Sequence, residues 1–453
     1  MTQSDRGSFG SKIGVILATA GSAVGLGNIW RFPFMTGQNG GAAFILIYIG
    51  CILLLGIPGM ISEFVVGRHS KTNAARAYMQ LAGSRRWGAI GYMGIITSMI
   101  ILGFYAVVAG WCLQYLWASL AGELNGDAEF VSRYFTAFSS NPIKPVLWGL
   151  AFILMTHLVI VRGVRSGIER VSKMLMPTLF VLLLILVVAS CMLPGAGRGV
   201  EFLLRPDFTK VDSSVFLEAL GQAFFSLSLG TACLCTYASY FGRSTNLMRS
   251  AFQIAAVDTV VAILAGLMIF PAAFSVGISP DSGPSLIFIT LPNVFREAFA
   301  AMPLVGYVIS VMFYILLALA ALTSTISMHE IGTAFFHEEL HHPRRHAAWI
   351  VTGVTGIICV LSSLSVGALP VLRIAGMQLM DAFDALTAQI LMPIGAFLTC
   401  LYVGWFAPHK DVREELTNDG TLRNRFFHTY LFVVKYVCPV CISLIFLHQL
   451  GVI

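Results

Sequence analysis

Charge is what this chain has least of. Only 11% of its 453 residues are Asp, Glu, Lys or Arg, against about 25% in soluble globular proteins, which excludes water as the main solvent. Blocks of one sign are missing too. The net charge is +6, but the basic residues are scattered among short polar loops, which excludes the concentrated patch that a nucleic-acid partner needs. No polar stretch is long enough for a separate soluble domain. Cysteine is sparse, with nine residues, all in apolar runs, where a thiol packs as a small hydrophobe. Cys438 and Cys441 have CxxC spacing but flank Pro439 in such a run, so no redox or zinc role is expected of them. The polar lead before the first apolar run is short (Met1 to Ser11), and that run continues past any plausible cleavage point. A removable signal peptide is therefore not expected.

Apolar residues are what fill the chain. They make up 57% of it, in runs of roughly 18 or more residues that can each cross a hydrocarbon core as a helix. Eleven spans are expected, at 12–37, 41–66, 88–120, 142–162, 168–193, 214–241, 248–276, 304–336, 346–366, 377–405 and 427–451. Lys and Arg cluster at 68–86, 162–173, Arg243 to Arg249, Arg344 to Arg345 and 410–425. All these clusters fall on one side if the N-terminus is cytoplasmic. The opposite loops differ: 121–135 is acidic through Glu123, Asp127 and Glu129, and 277–300 is rich in Ser, Pro and Gly.

Two spans break the apolar rule at comparable places. The first reads GSAVGLGNIWRFPF, with Gly21, Gly25, Gly27, Asn28, Arg31 and Pro33; the sixth reads GQAFFSLSLGTACLCTYASY, with Gln222, Ser226, Ser228, Gly230 and Thr231. Polar, glycine-rich backbone at mid-depth is tolerated only where it lines a protein cavity, since lipid cannot pair freed N–H and C=O groups. Interrupted helices five spans apart are the signature of an inverted five-helix repeat with a midplane binding site. The bland alternative, glycines that merely let helices pack closely, accounts for neither Asn28 nor Arg31.

These residues, with NGGAAF, GIPGMISEFVVGR, GIERVSKMLMP, SLSLG, TYASY, LAALTS and the aspartate pair of span ten, resemble the neurotransmitter:sodium symporter family of the LeuT fold over nearly the whole chain. The resemblance implies an all-α membrane protein built as a 5+5 inverted repeat, with helices one and six discontinuous and eleven transmembrane helices in all. The first repeat would occupy 1–193 with a cytoplasmic N-terminal segment, the second 214–405, and the eleventh span 427–453. It implies a multi-pass protein of the bacterial plasma (inner) membrane that carries a neutral, hydrophobic L-amino acid by alternating access, coupled to Na+. No motif gives the identity of that amino acid or the oligomeric state.

The family roles carry over residue by residue. Two sodium ions are expected, each a hard cation that takes oxygen ligands from unwound backbone. One would be held by the carbonyls of Gly21, Val24 and Ala320 and the hydroxyls of Thr323 and Ser324, unless those hydroxyls only bond back to their own helix. The other would use the Ala23 carbonyl, the Asn28 amide oxygen, Ser226 and the substrate's carboxylate. Asp258 lies near the usual place of a sodium-binding asparagine, although an ungapped match to Pro271 puts Val257 there. Animal relatives use chloride near this point, lined by residues matching Tyr48, Gln222 and Ser226; a carboxylate at Asp258 makes chloride unnecessary, and no chloride is expected.

Monoamine carriers of the family have an aspartate where Gly25 stands, so glycine implies a substrate that brings its own carboxylate. The N–H groups of Leu26 and Gly27 with the Tyr105 hydroxyl would receive it; the carbonyls of Ala23, Phe225 and Ser226 and the Ser228 hydroxyl would take the ammonium. Ile101, Phe225, Thr231, Ser324 and Met328 would line a pocket without charge. Arg31 and Asp384 would close the site from outside, over Tyr105 and Phe225, and Arg6 with Glu338 from inside, helped by Tyr240 and Ser239. Phe9 stands where the family has tryptophan. Glu63 is expected to accept bonds from the freed N–H groups, and Gly167 with Pro177 to let span five unwind.

Three rivals are open to test. His337 to His341 reads HEELH, the zinc-protease pattern that sets two imidazoles on one helix face. The same fold also serves channels and transport-inactive receptors. Asp258 and Glu63 would also suit protons as the coupling ion.

Overall fold

In lipid the backbone of a spanning segment has to pair with itself, and a chain with so many apolar runs answers with helices. The computed structural model describes residues 7–449 apart from 82, 125, 278–285, 370, 375 and 424–425. Eight helices are long and apolar enough to cross a membrane: Ala42–Ser70, Arg85–Leu120, Val164–Cys191, Leu247–Ser275, Pro303–Glu339, Arg344–Ser365, Leu379–Phe406 and Phe427–His448. They are spans two, three, five and seven to eleven. Span four is the shorter helix Lys144–Ile160, meeting the surface helix Ala128–Ser139 across a 73° bend. Spans one and six are each made of two short helices, at Lys12–Ala23 with Phe32–Gln38 and at Ser213–Ser226 with Cys233–Ala238. Among the described residues each of the eleven expected spans thus corresponds to a helix or a helix pair, eight to ten of them long and apolar enough to cross a membrane.

Span three packs against spans four, eight and nine, and the inner half of span one lies against spans five, seven and eight. The inner half of span six presses on span two at Gly67, where a Cβ would sit 2.0 Å from the Cys235 carbonyl oxygen. No larger residue fits there. A two-stranded antiparallel hairpin, Arg373–Ile374 with Met377–Gln378, leads into span ten.

At the end of the bundle where span two finishes, the short helix His409–Thr417, which follows span ten, is clasped by buried charge. Arg68, at the end of span two, donates to Glu415 at 2.6 Å; Arg243, in the loop after span six, reaches the other oxygen at 2.9 Å. Burial alone would raise the Glu415 carboxyl, but His69, Arg68 and Arg243 together hold it below its ordinary value.

Candidate functional site

The first span opens because its sequence cannot stay helical through residues 24 and 25. Ser11 caps the helix start by accepting the Gly14 N–H, and the helix ends when Val24 turns extended (φ −73°, ψ 107°). The chain resumes as a wide turn over Gly27–Arg31 and a regular helix with Pro33 in its first turn, where a missing N–H costs nothing. The two halves meet at 55°. Gly25 lies at the break with no room for a side chain: a Cβ would come within 2.4 Å of the Ser324 hydroxyl and 3.1 Å of the Tyr105 hydroxyl.

Span six opens through three left-handed residues, Ser228, Gly230 and Ala232, between its helical halves. At Gly230 a Cβ would also meet the Met392 carbonyl oxygen at 2.3 Å. Freed N–H groups need acceptors, and Glu63 supplies two: Gly230 donates to it at 2.8 Å and Cys235 at 3.3 Å. Ser98 on span three donates to the Thr231 carbonyl at 2.6 Å. The break in span six is therefore tied to the intact spans two and three.

Between them lies a cavity of about 60 Å³ lined by Ala23, Gly27, Ile101, Tyr105, Phe225, Ser226, Ser228, Thr231, Ser324 and Met328. Leu26 donates its N–H to the Tyr105 hydroxyl at 3.1 Å. Ser22, Ser98, Phe104, Cys233, Ser327 and Met392 complete the wall. None of these six stood out in the sequence, because small and apolar residues are unremarkable in a membrane helix.

Two clusters of oxygen adjoin the cavity. Thr323 donates to the carbonyls of Val24, at 3.2 Å, and Ala320, at 2.9 Å, and Ser324 lies 3.5 Å from the Val24 carbonyl. Gly21 packs on Thr323, with room for no more than a Cβ at 3.4 Å. Thr323 thus bonds back to its own helix and across to span one at once. In the second cluster Asn28 donates to an Asp258 carboxylate oxygen at 2.7 Å and to Ser226 at 3.2 Å, while its own oxygen accepts the Gly25 N–H at 3.0 Å. Ser226 and Tyr48 donate to the other Asp258 oxygen at 2.7 and 3.3 Å. Asp258 is fully buried and Val257 only partly so, which puts the aspartate on the inward face.

The charged closures are arranged differently from expectation. Arg31 lies flat over the Phe225 ring, 4.1 Å from its centre, and among the described residues it makes no direct ion pair with Asp384. The attraction to Asp384 and to Glu218 acts through space, and the ring face adds its own pull on the cation. On the inner side Arg6 lies outside the described residues. Glu338 accepts from the Asn73 N–H at 2.6 Å. Tyr240, expected to assist Glu338, gives its hydroxyl proton to Glu330 at 2.7 Å, and Arg344 donates to the same carboxylate at 3.0 Å. Phe9 meets Tyr237 and Tyr240 edge-on, with ring centres 6.0 Å away in both cases.

Glu330 and Arg344 escaped the sequence reading, although a lone carboxylate deep in span eight was a signal, because such a charge needs a partner. Removing one partner of a buried ion pair costs about 3–5 kcal/mol, since the other is left unpaired. Arg344→Ala should therefore weaken substrate binding at fixed sodium by at least about tenfold. The Glu330→Gln/Arg344→Ala double variant should recover part of that loss, and equal losses in both would show that the pair is not coupled.

Span five keeps Gly167 in a wide turn over Val164–Glu169 and Pro177 inside the helix Arg170–Cys191, with the stretch between them helical. Glu169 ties this end to the N-terminal segment by accepting from the Gly10 N–H at 2.6 Å and the Ser11 hydroxyl at 2.9 Å. The HEELH reading fails on geometry. Span eight ends at Glu339, and His341 takes a left-handed φ of 53°, so the two imidazoles do not share a helix face. Among the described residues no three His, Cys, Asp or Glu side chains gather as a metal site.

The profile of the sodium:neurotransmitter symporter family matches residues 6–134 and 125–453. The sodium-dependent transporter YhdH of Bacillus subtilis is 38% identical, over 98% of both chains. A sodium-dependent transporter of Haemophilus influenzae is 32% identical, again over 98% of each. Among solved structures, MhsT in complex with L-phenylalanine superposes with a TM-score of 0.89 at 38% identity, covering 98% of this chain and all of the other. With broken first and sixth spans around one cavity, and relatives matched from end to end, the chain belongs to the sodium:neurotransmitter symporter family.

Proposed function

We propose that this transporter couples the inward movement of sodium, two ions per cycle, to that of a neutral amino acid with an apolar side chain, without chloride. The observation that carries the reading is the buried carboxylate of Asp258, held by Asn28, Ser226 and Tyr48. It supplies a fixed negative charge beside the place where a cation and a zwitterion would meet. A cation bound there lowers the cost of the charge, and the substrate's carboxylate adds a further oxygen, so each stabilises the other. The Val24, Ala320, Thr323 and Ser324 oxygens, with that of Gly21, would take the second ion, joining span one to span eight. The ion would then hold the break of span one against span eight.

The amino acid's carboxylate would meet the N–H groups of Leu26 and Gly27 and the Tyr105 hydroxyl, and its ammonium the carbonyls of Ala23, Phe225 and Ser226 with the Ser228 hydroxyl. Ile101, Phe225, Thr231, Ser324 and Met328 would receive the side chain. MhsT, similar over the whole length, was solved with L-phenylalanine, and an uncharged pocket suits such a side chain. Arg31 above Phe225, with Asp384, would close the outer path; Arg6 with Glu338, beside the Tyr240–Glu330–Arg344 group, the inner one. Gly167 and Pro177 would let span five unwind during release, and the two repeats would rock about the fixed site. The loop pattern of Lys and Arg supports a cytoplasmic N-terminus, in the plasma membrane of a bacterium.

Uptake of labelled phenylalanine into proteoliposomes tests this. It should require an inward sodium gradient and persist when gluconate replaces chloride. Thr323→Ala should raise the sodium concentration for half-maximal binding by about tenfold, a loss of about 1.4 kcal/mol. Uptake unchanged when choline replaces sodium would sink the proposal.

A further inference from the structure

Lys435 is a charge inside a span that lies outside the transport path and is only partly covered by the protein. Lys435 lies in span eleven, Phe427–His448, level with the last turn of span ten. Its ammonium sits 4.1 Å over the Trp405 ring centre and 5.6 Å from that of Tyr436, and among the described residues no carboxylate lies within ion-pair distance. Rings attract a cation without neutralising it. A lysine bordering hydrocarbon therefore still needs an anion.

The place is built. A Cβ on Gly404 would lie 2.8 Å from the Lys435 Cα, so only glycine lets the two backbones touch. The Trp405 indole N–H then donates to the Lys435 carbonyl at 2.9 Å, which fixes the ring beneath the ammonium. Trp405, Phe406, Phe432 and Tyr436 are all about half exposed, an aromatic border of the kind that settles at headgroup depth. Phe406 stacks on Trp87 with centres 4.6 Å apart, and Trp87 follows the exposed pair Arg85 and Arg86. Positive charge and apolar ring surface thus meet on one outward face.

We infer that this face, between the inner ends of spans ten and eleven, binds an anionic phospholipid of the adjoining leaflet, its phosphate on Lys435 and its acyl chains along Trp405 and Tyr436. The charge balance selects the lipid. A zwitterionic headgroup brings its own cation and gains little beside three basic residues, whereas an anionic one does not.

Native mass spectrometry of the full chain, with phosphatidylglycerol and phosphatidylcholine as competing probes, tests this. The unaltered protein should retain phosphatidylglycerol in preference, and Lys435→Gln should weaken that retention about fivefold, the share of one basic residue at an anionic surface. Lys435→Arg should restore it. Sodium-dependent phenylalanine binding in Lys435→Gln serves as the check on folding. If that variant does not fold, the exposed Arg85→Gln/Arg86→Gln double variant decides, by weakening retention or leaving it unchanged. Equal retention in variant and parent overturns the inference, as does displacement of the lipid by millimolar inorganic phosphate, which would make this a site for free anions.

Discussion

Glu63→Ala is expected to abolish uptake and to lower the yield of folded protein. The side chain is fully buried, and its two oxygens each accept an N–H from the opened stretch of span six, Gly230 at 2.8 Å and Cys235 at 3.3 Å. The left-handed residues at 228, 230 and 232 interrupt the helical ladder there, and Glu63 takes up N–H groups on both sides of Ala232. An unsatisfied buried donor costs about 1–3 kcal/mol, so alanine should cost at least that much at the very point where the site is shaped. Glutamine keeps one acceptor but turns an amide donor toward the other N–H, and should fold yet transport slowly. Thermal unfolding in detergent, read beside proteoliposome uptake, separates the two effects. An alanine variant that transports at the parental rate would mean that span six holds its break without Glu63.

Asp258→Asn should make transport chloride-dependent. Its carboxylate gathers short hydrogen bonds from Asn28 and Ser226, both 2.7 Å, and a longer one from Tyr48. Hydrogen bonds to an ionised acceptor are about twice as strong as neutral ones, and the charge they surround would balance sodium. An amide keeps the shape and loses the charge. Uptake in gluconate should therefore fall by more than about tenfold, while chloride could settle among Tyr48, Ser226 and the fully buried Gln222, whose amide has no hydrogen-bond partner among the described residues. Recovery in chloride medium is the distinguishing result. Equal loss in both media would assign Asp258 to ion ligation alone, and no loss in either would remove it from coupling.

The breaks were legible because membrane helices seldom carry glycine, asparagine and arginine together, and both opened where the polar residues lie, at Val24 to Gly27 and Leu227 to Ala232. Span limits were legible for the same reason, within a few residues. What stayed hidden depends on which way a side chain turns. Whether Arg31 reaches Asp384 or stacks on Phe225 is a choice between two contacts the sequence offers equally. Tyr240 and Glu330 are 90 residues apart, and only the packing of span six on span eight makes them partners. HEELH carried little weight in the sequence, and the helix indeed ends at Glu339, two residues short of His341.

Gly25 limits how this carrier could change its cargo. The Ser324 hydroxyl and the Tyr105 hydroxyl already fill the space that any Cβ there would need. An aspartate introduced alone at position 25 would collide with both before it could greet an amine. Descent from this sequence toward a carrier of decarboxylated substrates thus requires the Ser324 and Tyr105 hydroxyls to turn aside or be replaced, and an intermediate that does neither would be impaired for either cargo.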